Sequence, residues 1–244
     1  MMMALSCERK RGVVCLLALV GRTAAMANAP PRRAWEFGRF LSTAAAFNSP
    51  TDALARVFRA RAQPRRLARG QVVWSPDEPN GLEFAVLDDV VMGGCSKSDV
   101  YVGRDGLRWR GEVTTANNGG FAGCRTKPIA PPLNLAGCDG IVLRLRADGF
   151  RYKCIVRDSA DWNGVAWTAS FDTPKGGRAT DVRLRFGQFV PTLFARTVPA
   201  SPPLRTDSVV ALQLSLSKFE YDGGLNPTFR EGAFDLVLEG VRTF

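Results

Sequence analysis

Leu87-Asp88-Asp89-Val90-Val91-Met92-Gly93-Gly94-Cys95-Ser96 and Thr115-Ala116-Asn117-Asn118-Gly119-Gly120-Phe121 are the two stretches on which the reading of this chain turns. Each sets a Gly-Gly pair beside small polar residues. Glycine pairs of this kind serve backbone that must take φ > 0 or turn sharply. The two lie about 25 residues apart, with alternating apolar and polar sequence between and after them. That arrangement points to a β-sandwich with elaborate loops. The open question is whether the loops do chemistry, bind something or only turn corners.

Working outward, the chain from about Gln71 consists of short alternating runs separated by Gly, Pro, Asn and Asp. Leu107-Arg108-Trp109-Arg110-Gly111-Glu112-Val113 alternates. Ile141, Leu143 and Leu145 fall on one face of a strand, with Arg144 and Arg146 on the other. Residues 182–186, 210–217 and 234–239 repeat the pattern. Period two with one apolar face means half-buried strands over a core. Residues 150–156 and 165–171 add two strands, joined through Asp161-Trp162-Asn163-Gly164 with its hairpin-type Asn-Gly. Many strands with regular turn signals predict an all-β antiparallel jelly-roll sandwich over residues 71–244.

Charge is distributed unevenly. Residues 1–70 carry 13 of the 33 basic residues but only 3 of the 23 acids, which leaves 20 of each sign for residues 71–244. The net +10 therefore belongs to the first 70 residues and the body is neutral. A neutral body argues against a nucleic-acid-binding face. The leader is rich in Arg, Ala and Ser and poor in acids, the composition of an organelle transit peptide. Residues 8–11, 13–20 and a site at Ala25-Met26-Ala27 or Ala27-Asn28-Ala29 also fit a signal peptide, and the two readings combine into a bipartite plastid leader with Ala44-Ala45-Ala46-Phe47 at the inner junction. Thr51-Asp52 suits the cap of a short helix carrying Leu54, Val57 and Phe58, ended by Pro64. The apolar run at 13–20 is eight residues long, against the roughly 20 that cross a bilayer. Membrane association is expected to be peripheral at most, and the location organellar: mitochondrion or plastid.

Histidine is absent. That removes Ser-His-Asp and Cys-His catalysis and any His-ligated zinc or haem. Cys95, Cys124, Cys138 and Cys154 are spaced 29, 14 and 16 residues apart without a Cys-x-x-Cys pair. Zinc is thus disfavoured; two disulfides or buried free thiols remain. No Walker loop, Gly-x-Gly-x-x-Gly or His-Glu-x-x-His motif occurs. No cofactor, metal or catalytic residue is expected.

The order of the pieces resembles the complex I intermediate-associated protein 30 family. The resemblance rests on a tryptophan strand around Trp74, then Asp88-Asp89-Val90-Val91-Met92-Gly93-Gly94-Cys95-Ser96, Arg110-Gly111-Glu112-Val113, and Asn118-Gly119-Gly120-Phe121 leading to Arg125-Thr126. It continues through Leu133-Asn134-Leu135-Ala136-Gly137-Cys138-Asp139-Gly140-Ile141, Arg146-Ala147-Asp148-Gly149-Phe150-Arg151-Tyr152, Phe186-Gly187-Gln188-Phe189-Val190-Pro191 and a strand over 234–241. It covers roughly residues 72–242. The chain departs from the family pattern at Leu87, at Cys95 and in the strand over 178–185, which lacks a tryptophan. The resemblance implies a galactose-binding-like sandwich and a non-enzymatic assembly or chaperone role, best known for mitochondrial complex I and extended to plastid complexes. It implies protein subunits of a membrane electron-transfer complex and other assembly factors as partners.

The candidate contact residues are Asp88, Asp89, Gly93, Gly94, Ser96, Asn118, Gly119, Gly120, Phe121, Asp148, Tyr152 and Trp162. Asp88 and Asp89 suit three roles: Ca²⁺ ligands, partners of sugar hydroxyls, or an acid/base pair with Asp148. An Asp before a Gly-Gly turn more commonly accepts backbone N–H bonds. Gly93 and Gly94 fit turn geometry, and Phe121 a core anchor. Trp162, on a loop, is the better sugar-stacking candidate. Trp167, in mid-strand, reads as core.

Overall fold

The computed structural model describes residues 43, 45, 47, 63–161 and 164–244. The helix expected over 51–58 and Trp162 lie outside these residues. Fifteen strands are present among the described residues. In chain order they are β1 (Arg65–Arg66), β2 (Val72–Trp74), β3 (Phe84–Val86), β4 (Lys97–Gly103), β5 (Gly106–Val113), β6 (Phe121–Thr126), β7 (Leu133–Asn134) and β8 (Gly140–Arg146). There follow β9 (Arg151–Arg157), β10 (Ala166–Asp172), β11 (Thr180–Arg185), β12 (Val190–Leu193), β13 (Arg196–Thr197), β14 (Ala211–Ser217) and β15 (Gly232–Thr243).

Two antiparallel sheets pack face to face. The larger runs β13-β12-β10-β9-β14-β6-β3 and the smaller β11-β8-β15-β5-β4, with β2 pairing on β15. The non-sequential strand order makes this the sandwich that the alternation predicts. Ile141, Leu143 and Leu145 of β8, Leu212, Leu214 and Leu216 of β14 and Phe234, Leu236 and Leu238 of β15 all face the core. At its centre the Trp109 ring meets Phe234 edge-on at 4.8 Å and Tyr152 at 5.9 Å, and Tyr152 stacks near Phe171. Trp167 is buried, as its mid-strand position suggests.

Strand pairing begins before residue 71. Arg65 and Arg66 pair in parallel with Leu133 and Asn134, and Leu67 enters the core. The Arg-Arg pair looks like leader sequence, and only a partner some 70 residues away turns it into a strand.

The outward arginines of the smaller sheet do not form a free basic stripe. Arg144 bridges Asp181 and Glu239, Arg146 pairs with Glu239 and Arg242 with Asp181. Exposed pairs of this sort contribute little stability, but they set acids beside three of the arginines on that face.

Cys95, Cys124, Cys138 and Cys154 are all free and buried, so the two-disulfide alternative does not hold. Cys124 and Cys154 both stand opposite Leu214 from the strands on either side of it. Burial pushes the Cys154 thiol up to about 12 from 9.0, and the Cys124 thiol higher still. Below pH 9 both thiols are protonated in folded and unfolded chains alike. Above it the unfolded chain ionises while the folded one resists, so this contribution to stability is lost as pH rises from 9 toward 12. The wild-type chain should therefore lose about 2–3 kcal/mol more than Cys124→Ala/Cys154→Ala between pH 8 and pH 10. Urea midpoints of the two chains measured across that range, compared as a difference, check this.

Candidate functional site

β3 ends at Val86, and the chain then drops both aspartates of the first loop into the interior. Asp88 and Asp89 are 0% and 1% exposed. The Asp89 carboxylate accepts from the Ser96 N–H at 2.9 Å, the Ser96 hydroxyl at 2.8 Å, the Gly120 N–H at 2.7 Å and the Phe121 N–H at 3.3 Å. Asp88 accepts from the N–H and hydroxyl of Ser98 at 2.8 and 2.7 Å and from the Gly123 N–H at 3.4 Å. Ser98 belongs to the smaller sheet and Gly123 to the larger. Each carboxylate thus ties the entry to β4 to the start of β6.

This geometry dictates the glycines. Asp89 to Met92 form a 3-10 turn closed by Gly93, whose φ of 85° is left-handed. Gly94 answers a different need: a Cβ there would lie 2.3 Å from the Asp89 Cγ. Gly119, on the second loop, would place its Cβ 2.3 Å from the Asp89 Oδ2. The carboxylate is therefore clasped between one glycine from each loop. Asn117 and Asn118 take φ of 57° and 61°, the left-handed conformation that asparagine tolerates, and the Asn117 amide donates to the Gly93 carbonyl at 3.2 Å.

Asp148 follows the same logic elsewhere. It accepts from the Phe150 N–H and the Tyr152 hydroxyl of the larger sheet and from the Asp235 N–H of β15. Tyr152 is wholly buried, and burial followed by Asp148 pushes its pKa far up. Three corrections to the sequence reading result. Asp88, Asp89 and Ser96 point into the fold and offer no partner a side chain. Tyr152 is core. Asp88 or Asp89 with Asp148 is not an acid/base pair, because backbone and hydroxyl donors saturate each carboxylate. Among the described residues no group of three or more Cys, Asp or Glu is placed to hold a metal ion.

What the loops do form is one wall of a groove of about 840 Å³ across the outer face of the larger sheet. Asn118, Gly119, Gly120, Phe121, Gly94 and Met92 line it there. The floor is the outward face of the strands, where Arg125 of β6 stands opposite Gln213 of β14, Gln213 opposite Ile155 of β9, and Ile155 opposite Thr168 of β10. Arg157 and Lys218 add positive charge. Of the six large apolar side chains exposed among the described residues, Met92, Phe194 and Phe219 all line this groove. The result is a basic floor under an apolar rim on an otherwise neutral domain.

A loop carrying Phe219 to Asn226 bounds the groove beyond β14. Lys153 fastens it: its ammonium donates to the carbonyls of Phe219 and Glu220, both at 2.6 Å, beneath the Tyr221 ring. Burial pulls the Lys153 pKa down to about 8, with Glu220 opposing. Of the candidate contact residues, Asp89, Gly94, Asn118, Gly119, Gly120 and Phe121 line this groove; Met92, Arg125, Arg157, Phe194, Lys218 and Phe219 line it too and were not among the candidates. The polar alternation on β6, β9 and β14 was a signal for the floor; nothing local marks the rim.

The carboxylate clasp predicts sharply different costs for chemically identical changes. Gly94→Ala and Gly119→Ala should each destabilise the fold by about 3 kcal/mol or more, since a carboxylate held by four donors has nowhere to move. Gly137→Ala, with nothing within 4 Å of its Cβ position, should stay within about 0.5 kcal/mol of wild type. Urea unfolding of the three variants checks the difference.

The Complex I intermediate-associated protein 30 (CIA30) family matches residues 74–238, which hold both glycine loops, every strand of the larger sheet and all of the smaller sheet except most of β2 and the end of β15. No curated protein sequence matches the chain. Among solved structures, the family 11 carbohydrate-binding module of the cellulosomal cellulase Lic26A-Cel5E of Clostridium thermocellum is similar at 12% identity. It matches over 73% of this chain and 95% of its own, with a TM-score of 0.50. The family 11 module from the same organism in complex with a β-1,3-1,4-mixed-linked tetrasaccharide is 14% identical over 73% and 97%, with a TM-score of 0.48. At such identities the likeness shows a shared sandwich fold and nothing about ligands. With more than half of its length matched in one continuous stretch, the chain belongs to the complex I intermediate-associated protein 30 family.

Proposed function

We propose that the protein is a non-enzymatic assembly factor that holds immature subunits of a membrane electron-transfer complex, respiratory complex I in the first instance. Membership of the family supports the role. The observation that carries the groove as its working surface is the turn between β12 and β13. Leu193 pairs with Arg196, which leaves Phe194 and Ala195 as the two central residues, at φ of 49° and 62°. Two left-handed residues are the type I′ hairpin pattern, normally met by Asn-Gly. A phenylalanine and an alanine there cost about 1–2 kcal/mol each. The strain holds a large apolar ring at 71% exposure on the groove rim. Strain retained to expose an apolar group fits a contact surface.

The mechanism is surface complementarity. The rigid sheet supplies a polar, basic floor, and Met92, Phe194 and Phe219 supply apolar contacts to a subunit segment not yet buried in its complex. The acid-poor residues 1–70 support delivery to an organelle. The compartment follows the client: mitochondrion for complex I, plastid for a thylakoid complex.

A carbohydrate-binding reading has less support. It calls on Asp88 and Asp89 as partners of sugar hydroxyls, but both are buried.

Phe194→Asn/Ala195→Gly separates the two roles of the turn. The double variant should unfold about 1 kcal/mol or more later than wild type while losing most recovery of complex subunits on affinity purification from organelles. A stabilised variant that recovers subunits as well as wild type does would overturn the reading, as would normal electron-transfer complexes in cells lacking the protein.

A further inference from the structure

The two sheets of the sandwich end on β13, β3, β11 and β4, and the first three of these edges are guarded. β13 is two residues long, and Asp222 takes both the N–H and the hydroxyl of Thr197. β3 is three residues long. β11 carries Asp181, Arg183 and Arg185, all exposed. Short length and charge are the usual protection of an edge against a further strand. β4 has neither at its centre. It runs for seven residues with Val100-Tyr101-Val102 in the middle, Tyr101 66% and Val102 51% exposed.

The register of the β4–β5 hairpin fixes which backbone groups of β4 face outward. Arg104 and Asp105 form its turn, and Gly103 pairs with Gly106. A two-residue turn is closed by a hydrogen-bonded pair, and bonded and non-bonded pairs then alternate along an antiparallel ladder. Tyr101 and Asp99 therefore bond to β5, whereas Val102, Val100 and Ser98 turn their N–H and C=O groups away from it. Ser98 bears this out, since its N–H donates to Asp88 instead. Among the described residues no strand or loop pairs with Val100 or Val102 on that side.

We propose that β4 is the interface for a second copy of this chain, the two β4 strands pairing antiparallel about a two-fold axis at Tyr101. The spacing of the outward groups selects both the partner and the register. With the axis at Tyr101, Val100 of each copy meets Val102 of the other, and each such pair exchanges two backbone bonds. The two Tyr101 side chains face each other on the outer face. Val100 and Val102, which stand opposite Trp109 and Leu107, extend the apolar inner face across the junction. The Tyr101 hydroxyl lies over Gly103, 2.8 Å from where a Cβ would be, and Gly103 falls opposite Asp99 of the other copy, whose carboxylate can accept from it. Beyond the paired residues Lys97 of each copy stands opposite Asp105 of the other, a cross-strand pair of opposite charge. The contact is isologous and closes on itself. A single strand pair is small, so the dimer forms and dissociates with concentration. It uses the smaller sheet and does not depend on the function proposed for the groove.

The test uses the full-length chain. Its weight-average mass in sedimentation equilibrium should rise from 26.6 kDa toward twice that value as the concentration is raised. Val102→Pro removes an outward N–H, a change that an edge strand tolerates, and should stay monomeric with a urea midpoint that shows the sandwich intact. Cross-linking reads the register and decides the matter even if the proline variant fails to fold. In a Cys7→Ser/Cys15→Ser background, Tyr101→Cys sets two thiols on the axis, within reach of a disulfide. Asp99→Cys, exposed on the same face of the same strand, faces Gly103 of the other copy and not itself. Under mild oxidation Tyr101→Cys should form covalent dimer about tenfold faster or more than Asp99→Cys, as paired thiols at high effective concentration do. A chain that stays monomeric at every concentration would overturn the proposal, whether its edge is bare, covered by residues before 63 or taken only by an extended peptide of another protein. Dimers that survive a folded Val102→Pro chain, or equal cross-linking through Asp99→Cys, would overturn it as well.

Discussion

The fold depends on carboxylates that stitch its two sheets together. Hydrophobic burial holds the sheets face to face, but it is non-directional and does not fix how their ends align. Asp89 supplies the missing direction. Its oxygens take donors from Ser96, at the entrance to the smaller sheet, and from Gly120 and Phe121, at the entrance to the larger. Asp88 repeats the tie through Ser98 and Gly123, and Asp148 makes a third through Tyr152 and Asp235. A buried carboxylate is tolerable only when nearly every lone pair is met. That demand brings two loops to within contact of one side chain, and the glycines follow because nothing larger fits between.

The groove is a by-product of the same constraint. Once Gly94 and Gly119 close on Asp89, the loops stand as a wall at the edge of β6, with Met92 turned outward at the top. Across the sheet the hairpin of Phe194 and the loop fastened by Lys153 form the opposite boundary. The floor between is polar because it is the outward half of strands whose other half is core: Arg125 alternates with Cys124 and Thr126, and Gln213 with Leu212 and Leu214. The groove is therefore what remains when the requirements of the core have been met.

Much of this was legible in the sequence, and the parts that were not share a cause. Seven strands, β5, β8, β9, β10, β11, β14 and β15, are legible as local alternating runs, although β15 continues to Thr243, four residues past the expected end, and β3, β4, β6 and β12 carry no such signal. The glycine loops mark themselves through turn chemistry. Gly93 is read correctly from φ alone. Gly94 and Gly119 are not, because they have ordinary backbone angles and owe their identity to a carboxylate brought close by folding. Asp148 and Tyr152 stood among the candidate contact residues; the partner that ties Asp148 into the fold, Asp235, lies 87 residues on. The strand at Arg65 and Arg66 and the rim at Phe194 and Phe219 were invisible for the same reason. In each case the deciding contact is long-range, and a window of sequence does not contain it.

Stability and surface shape are coupled on one wall of the groove and separable on the other. Met92 sits on the 3-10 turn that Asp89 begins, two residues from the glycine that clasps it. Any change there moves the inter-sheet tie along with the contact surface. Phe194 lies on a two-residue turn at the edge of the larger sheet, outside the core. Its strained backbone is a cost the fold carries without needing it. The second wall is thus free of the constraint that a buried charge places on the first. The glycine loops are in this sense the poorest place to look for specificity and the best place to recognise the fold.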